Sequence, residues 1–222
     1  MTDRRQIPYT QELARKGIHL SSLSIPLIYL HVDRATALQV LVPLTLVALV
    51  LNVLMYRHGP TRTLMMGLVG GMLRGHERDE QRMLLNGASW VLIAATLIIA
   101  LTPKILAVTS FTTLILSDTF AALIGRKWGR RRFLDKSVLG SSVFFGIAVM
   151  IVLAYGTSFA LPWTYLAAGL AGAAVCTLVE AASVRLHVDD NLSIPFSMAL
   201  TMWCFAKLFD AQHLPSFISV LP

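Results

Sequence analysis

The sequence predicts an all-α membrane protein, a polytopic transmembrane bundle of seven spans in a single domain over residues 1–222. Two compositional observations predict this class: 55% of the residues are hydrophobic and only 14% are charged, whereas roughly a quarter are charged in a soluble domain. The third observation is that several apolar runs approach the ~20 residues needed to cross a bilayer. No polar linker long enough to separate two domains interrupts these runs.

We predict that every span is helical, because lipid cannot satisfy exposed backbone groups. The spans cover residues 18–31, 35–56, 88–101, 104–125, 138–158, 164–184 and 191–208. The first and third are short, so tilt or extension into flanking residues is expected. Between the second and third spans, the glycine-containing stretch from Thr61 to Leu73 predicts an interfacial helix or hairpin.

Lysine and arginine residues predict the orientation of the bundle. Most of them fall before the first span and in the connections 57–87, 126–137 and 185–190, whereas the alternate connections hold only Arg34 and Lys104. Because such residues concentrate in cytoplasmic loops, we expect a cytoplasmic N-terminus and an external C-terminus. The formal net charge of +7 then indicates loops beside anionic head groups and not a nucleic-acid partner.

Polar side chains in and beside the spans fall at the cytoplasmic side. Glu12, Lys16 and His19 share one helix face by their i, i+4, i+7 spacing. Asp118 comes about two helical turns before a loop rich in cations over residues 126–137. Polar residues within spans are costly and are therefore candidates for function.

These residue types suit phosphoryl transfer, which needs charge neutralisation and positioning more than covalent help. Carboxylates hold a divalent cation, and lysine or arginine binds phosphate. A general base must also take the proton of the attacking hydroxyl, for which His19, Asp118 or an acid of the 189–190 pair is a candidate. The candidate metal ligands are Asp118, Glu180, Asp189 and Asp190, and the candidate phosphate donors are Arg126, Lys127, Arg130 and Lys136.

Each candidate also has a structural explanation. Asp118 could pair with a cation of its own loop, Glu180 with Arg185, and Asn191 could cap the last helix. The basic residues could anchor the chain to head groups, and the glycines could serve close helix packing. The occurrence of all these groups on one side favours a shared site.

Three sequence blocks resemble the dolichol kinase and phytol kinase family of CTP-dependent polyprenol and lipid-alcohol kinases. The blocks are RKGIH (Arg15 to His19), DTFAALIGRKWGRRRFLDKSVLGSS (Asp118 to Ser142) and VEAASVRLHVDDNLSIP (Val179 to Pro195). The family is distantly related to phosphatidate cytidylyltransferases. Some of its branches carry an acid where this chain has Leu139, so a role of that acid is not transferred.

The resemblance implies CTP as the phosphoryl donor, Mg²⁺ or another divalent cation, and a membrane lipid alcohol such as phytol, a polyprenol or diacylglycerol as the acceptor. By matching motif positions, it implies nucleotide or metal contacts for Asp118, Gly125, Lys136, Ser137, Gly140, Glu180, Asp190 and Asn191, with Arg15, Lys16 and His19 nearby. From the residue types and this motif together, we predict catalytic roles for Asp118, His19 and Lys136, and nucleotide contacts for Arg15 and Lys16. We therefore expect a multi-pass kinase whose active site faces the cytoplasm.

Two other functions fit the same residues. A cytidylyltransferase would join a lipid phosphate to CTP and release pyrophosphate. A transporter of an anionic lipid or solute would use the cations as its binding site, although transporters usually bind near the midplane and often show inverted repeats. The acceptor and any homo-oligomeric state are left open by the sequence.

Overall fold

The computed structural model describes residues 9–69, 85–186 and 188–220, and within these ranges the protein is an all-α bundle with one short hairpin. The helices are α1 (Tyr9–Ser21), α2 (Ser24–Tyr29), α3 (Arg34–Arg57), α4 (Gly59–Val69), α5 (Gly87–Leu101), α6 (Lys104–Trp128), α7 (Val138–Ser158), α8 (Trp163–Ala181), α9 (Ser183–Leu186) and α10 (Asp190–Ala211). Strands β1 (Arg132–Phe133) and β2 (Lys136–Ser137) pair antiparallel between α6 and α7. The predicted fold class is confirmed.

Five helices, α3, α6, α7, α8 and α10, are long and apolar enough to cross a membrane, and α5 is a shorter apolar helix. They match six of the predicted spans, with α7 at the predicted bounds. The first predicted span, 18–31, is wrong as a single helix. Ser22 and Leu23 form a turn there that separates α1 from α2.

Helix α6 lies at the centre of the bundle and packs against α7, α10, α1 and α2. In the most apolar 18-residue stretch of α6, 83% of the residues are buried, compared with 17% in the corresponding stretch of the peripheral helix α3. Glycines permit close helix packing in the bundle: a Cβ added at Gly169 of α8 would come 2.5 Å from a methyl group of Val152 on α7. Leu114, Phe144 and Met198 are fully buried in the resulting core.

The connections at one end of the bundle are joined by side-chain bonds to backbone carbonyls. Arg34 donates to the carbonyl of Thr102 at 2.7 Å, and Lys104 donates to the carbonyl of Val32 at 3.0 Å. The C-terminus of α6, the N-termini of α7 and α10 and the C-terminus of α8 lie at the other end, where the cleft described below opens. The helix ends therefore alternate along the chain as a membrane bundle requires.

Two predictions at this second end need correction. The chain does not enter a loop at Gly125, because α6 continues to Trp128 and the backbone N–H of Gly129 still donates to the carbonyl of Gly125. Asn191 is not the cap of the last helix. Asp189 caps α10 by accepting from the backbone N–H of Asn191 at 3.0 Å and from its side-chain amide at 2.7 Å.

Candidate functional site

A cleft of about 430 Å³ opens where α1, α6, α8, α10 and the hairpin meet. Charged side chains dominate its lining, with an excess of positive charge. The cations are Arg15, Lys16, Arg126, Arg130, Arg131, Arg132 and Lys136, and the acids are Glu12, Asp118, Asp135, Glu180 and Asp190. The structure thus brings together three of the four predicted metal ligands and most of the predicted phosphate donors.

At the floor of the cleft, Asp118 on α6 is joined to two residues of α1. Lys16 donates a hydrogen bond from Nζ to Asp118 Oδ2, and both side chains are buried. His19 Nε2 lies 3.7 Å from the same oxygen, and this nitrogen is buried and has no hydrogen-bond partner. Asp118 therefore pairs with another helix and not with a cation of its own loop.

On the other side of the cleft, Lys136 from β2 lies between two carboxylates. Its Nζ is 3.3 Å from Glu180 Oε1 on α8 and 3.2 Å from Asp190 Oδ2 on α10. Burial would lower the pKa of Lys136, but the negative charges of Asp190 and Glu180 outweigh burial and raise this pKa above its ordinary value. Lys136 is therefore a permanent cation of the cleft.

The sequence reasoning missed Asp135 as a member of the cleft. Its backbone N–H donates to the carbonyl of Ala181 at 2.9 Å, and its carboxylate accepts from the backbone N–H and the Nε of Arg185 at 3.1 and 3.0 Å. These contacts hold the hairpin against the end of α8. Contacts across 50 residues leave no periodic signal in a sequence, so spacing could not have found this anchor.

The sequence assigned Glu12 no role in the site, although it shares the helix face of Lys16 and His19. Its carboxylate accepts from Arg15 at 2.6 Å and lies 3.9 Å from the guanidinium of Arg126 on α6. Glu12 thereby links the outer end of α1 to the last turn of α6.

Glycines let α6 and α7 approach each other beside Ser137. A Cβ added at Gly125 would come 2.9 Å from both Gly140 Cα and Ser137 Oγ. Ser137 caps α7, since its Oγ accepts from the backbone N–H of Gly140 at 3.0 Å. The structural explanation for Gly125 and Gly140, close packing, therefore holds, while both also line the cleft.

Four predicted site residues do not line the cleft. The Nζ of Lys127 lies 4.6 Å from the centroid of the Trp128 ring. Asp189 and Asn191 bond to each other at the start of α10, so these two residues organise the helix end that presents Asp190. His19 likewise is not part of the lining, and its Nε2 lies 3.7 Å from Asp118 Oδ2 behind it.

The chain is similar to an uncharacterized protein of Rickettsia prowazekii (strain Madrid E). It is 33% identical over 200 residues, an alignment that covers 87% of this chain and 94% of the relative. The chain belongs to the family of that protein. No family profile matches the sequence, and no solved structure matches it. The relative's name states no activity.

The carboxylates fit a divalent cation only in part. Among the residues that the structure describes, no three His, Cys, Asp or Glu side chains are close enough to hold an ion by themselves. Glu180 Oε2, however, is buried without a hydrogen-bond partner, and Glu180 lines the cleft together with Asp190. Mg²⁺ is usually held by one or two carboxylates together with substrate phosphates, and this donor set matches that mode of binding.

Proposed function

We propose that this protein is an integral membrane kinase that transfers the γ-phosphate of CTP to the hydroxyl of a membrane lipid alcohol. The products are CDP and the lipid monophosphate. One observation supports the proposal above all: charged side chains from five separate segments line a single cleft at one end of an apolar bundle. A reaction between a charged nucleotide and an apolar acceptor needs this combination of surroundings.

The cations supply the nucleotide side of the site. Arg126 and Arg130 line the cleft, and Lys136 is held between Glu180 and Asp190. In phosphoryl transfer such groups position the phosphates and stabilise the charge that spreads over the transferred group. The net positive charge of the lining also attracts a polyphosphate to the cleft.

Glu180 and Asp190 are the residues that would hold Mg²⁺, with the substrate phosphates completing its ligands. When bound, the ion neutralises charge on the phosphate oxygens. Asp118 is less suited to a metal, because Lys16 already occupies one of its oxygens. We therefore assign Asp118 to the positioning of Lys16 and His19.

His19 is the base that fits the acceptor. Its Nε2 has no hydrogen-bond partner and can accept the proton of a lipid hydroxyl. The hydroxyl oxygen then forms the new bond to the γ-phosphorus, and the bond from that phosphorus to the β–γ bridging oxygen breaks. CDP leaves with the electron pair. Asp118, 3.7 Å from Nε2, stabilises the imidazolium that results.

The test uses purified protein in detergent with Mg²⁺, a long-chain isoprenoid alcohol or diacylglycerol, and CTP labelled in the γ-phosphate. We expect labelled lipid monophosphate and CDP, and a rate at least about a hundredfold lower from Asp118→Asn. Pyrophosphate and a CDP-lipid from a lipid phosphate would show cytidylyl transfer instead. Uptake of an anionic lipid into proteoliposomes without CTP consumption would show a transporter. Absence of transfer to every lipid alcohol tried would contradict the proposal.

A further inference from the structure

Helix α1 turns its charged face inward and its apolar face outward. Glu12, Lys16 and His19 are 7%, 2% and 9% exposed, whereas Leu13 and Ile18 are 52% and 53% exposed. A helix on the surface of a soluble protein shows the reverse arrangement. The outward face of α1 therefore suits contact with lipid, while its inward face belongs to the cleft.

This helix forms one wall of the cleft. Lys16 and Glu12 line the cleft from the inside. Among the α1 side chains that the structure describes, 11–21, every buried one is polar. Ion pairs with Asp118 and Arg126 join α1 to α6. The turn at Ser22 and Leu23 separates α1 from α2.

The outward face of α1 also has a notch. Gly17 is exposed, and a Cβ added there would meet no atom within 4 Å. Packing within the protein therefore does not require a glycine at this position. Leu13 and Ile18 flank the notch, and His19 lies on the same stretch of helix, about 10 Å along α1 from Glu12 by helical rise.

We infer that α1 is the lateral gate through which the acceptor reaches the cleft. A long-chain amphiphile with a small uncharged hydroxyl head group packs its chain along the notch at Gly17. Its head group passes beside α1 to His19 and Asp118. The inference rests on the proposed function for the identity of the acceptor, but the lipid contact itself requires no turnover.

Photolabelling tests this contact. The protein is placed in nanodiscs without CTP, and a long-chain alcohol with a diazirine in its hydrocarbon chain is activated by light. We expect labels on α1 near Leu13 and Ile18 that excess unlabelled alcohol removes. Labels on Val47 of α3, which is 55% exposed, should not be removed. Equal labelling of α1 and α3, or α1 labels that resist competition, would overturn the inference.

A pair of matched variants gives a second measurement. Gly17→Phe fills the notch, and Gly146→Phe adds the same ring to α7 at an exposed glycine where a Cβ also meets nothing within 4 Å. We expect Gly17→Phe to reduce the labelling of α1 that excess unlabelled alcohol removes. We also expect it to raise the KM for the lipid alcohol about tenfold, which is about 1.4 kcal/mol. Gly17→Phe should leave the KM for CTP unchanged. Gly146→Phe should change neither the labelling of α1 nor the KM for the lipid alcohol. Equal effects of the two variants would overturn the inference.

The two measurements separate the gate from the kinase reaction. Competed labelling of α1 in a protein that transfers no phosphate would support the lipid contact and remove the proposed function. Transfer to a lipid alcohol without competed labelling of α1 would keep the proposed function and remove the gate.

Discussion

Replacement of Lys136 by methionine tests how much of the protein's stability depends on pairing the buried carboxylates of the cleft with this one cation. Lys136 Nζ contacts Glu180 Oε1 at 3.3 Å and Asp190 Oδ2 at 3.2 Å, and the Glu180 side chain is only 4% exposed. Loss of one partner of a fully buried ion pair costs about 3–5 kcal/mol. Because the Lys136 side chain is 29% exposed, we expect a loss of about 2–3 kcal/mol in the free energy of unfolding.

For a chain of this size the loss corresponds to a fall in Tm of about 5–10 °C. Thermal unfolding in detergent, followed by circular dichroism, measures it. Lys127→Met is the matched control, because Lys127 is exposed and outside the cleft, and it should cost no more than about 1 kcal/mol. The double variant Lys136→Met, Glu180→Gln should recover part of the loss, since it removes the stranded charge. Equal Tm values for Lys136→Met and Lys127→Met would refute the reasoning.

The pH dependence of this variant has a defined sign. Because the pKa of Lys136 is raised in the folded protein, the stability that Lys136 contributes is fully present at pH values below the ordinary lysine pKa. That stability is lost only as the pH rises through the pKa of Lys136 in the folded state. Lys136 itself therefore titrates well above neutral pH. Protonation of the buried Glu180 carboxylate at low pH relieves the loss of its cation, so the stability difference from the unaltered protein should be smaller at about pH 5 than at about pH 8.

Three further predictions concern neighbouring positions. Asp118→Asn should lower turnover by about 10² or more while the protein still folds, and turnover within twofold of the unaltered enzyme would remove Asp118 from the site. Gly125→Ala should lower the free energy of unfolding by about 1–3 kcal/mol, because the added Cβ would overlap α7. Gly146→Ala should be neutral or stabilising, because its Cβ meets no neighbouring atom. Unfolding in detergent compares the two variants, and equal stabilities would contradict the packing argument. Asp189→Ala should lose about 1 kcal/mol of stability with the α10 cap, and an unchanged Tm would show that the cap is not needed.

The apolar helices were predictable because hydropathy alone decides them. The run over 138–158 lies between the Ser137 cap and a chain turn at Phe159, and the predicted and observed bounds of α7 agree. The convergence of Asp118, Glu180 and Asp190 was also predictable, because alternating helix ends and clustered cations assign each residue to one end of the bundle.

The N-terminal region was not predictable in the same way. Hydropathy places the first span at residue 18, where the apolar run begins. The structure begins α1 at Tyr9 instead, because Glu12 and Lys16 are satisfied by partners on α6 and so can be buried. A hydropathy profile counts these residues as exposed, since their partners are about a hundred residues away in the chain. The same limit explains why Asp135 was missed.

The charges in the cleft are difficult to explain by stability. Lys16, Glu180 and Asp118 are 2%, 3% and 7% exposed, and buried ion pairs are often no more stabilising than apolar side chains of similar volume. The rest of the bundle core shows that this chain packs apolar residues well, with Leu114 and Phe144 fully buried. A bundle selected only to fold would carry apolar residues at the cleft end as well. Charged residues stand there instead, and Glu180 Oε2 has no partner of its own, so a bound ligand is the simplest reason for the arrangement.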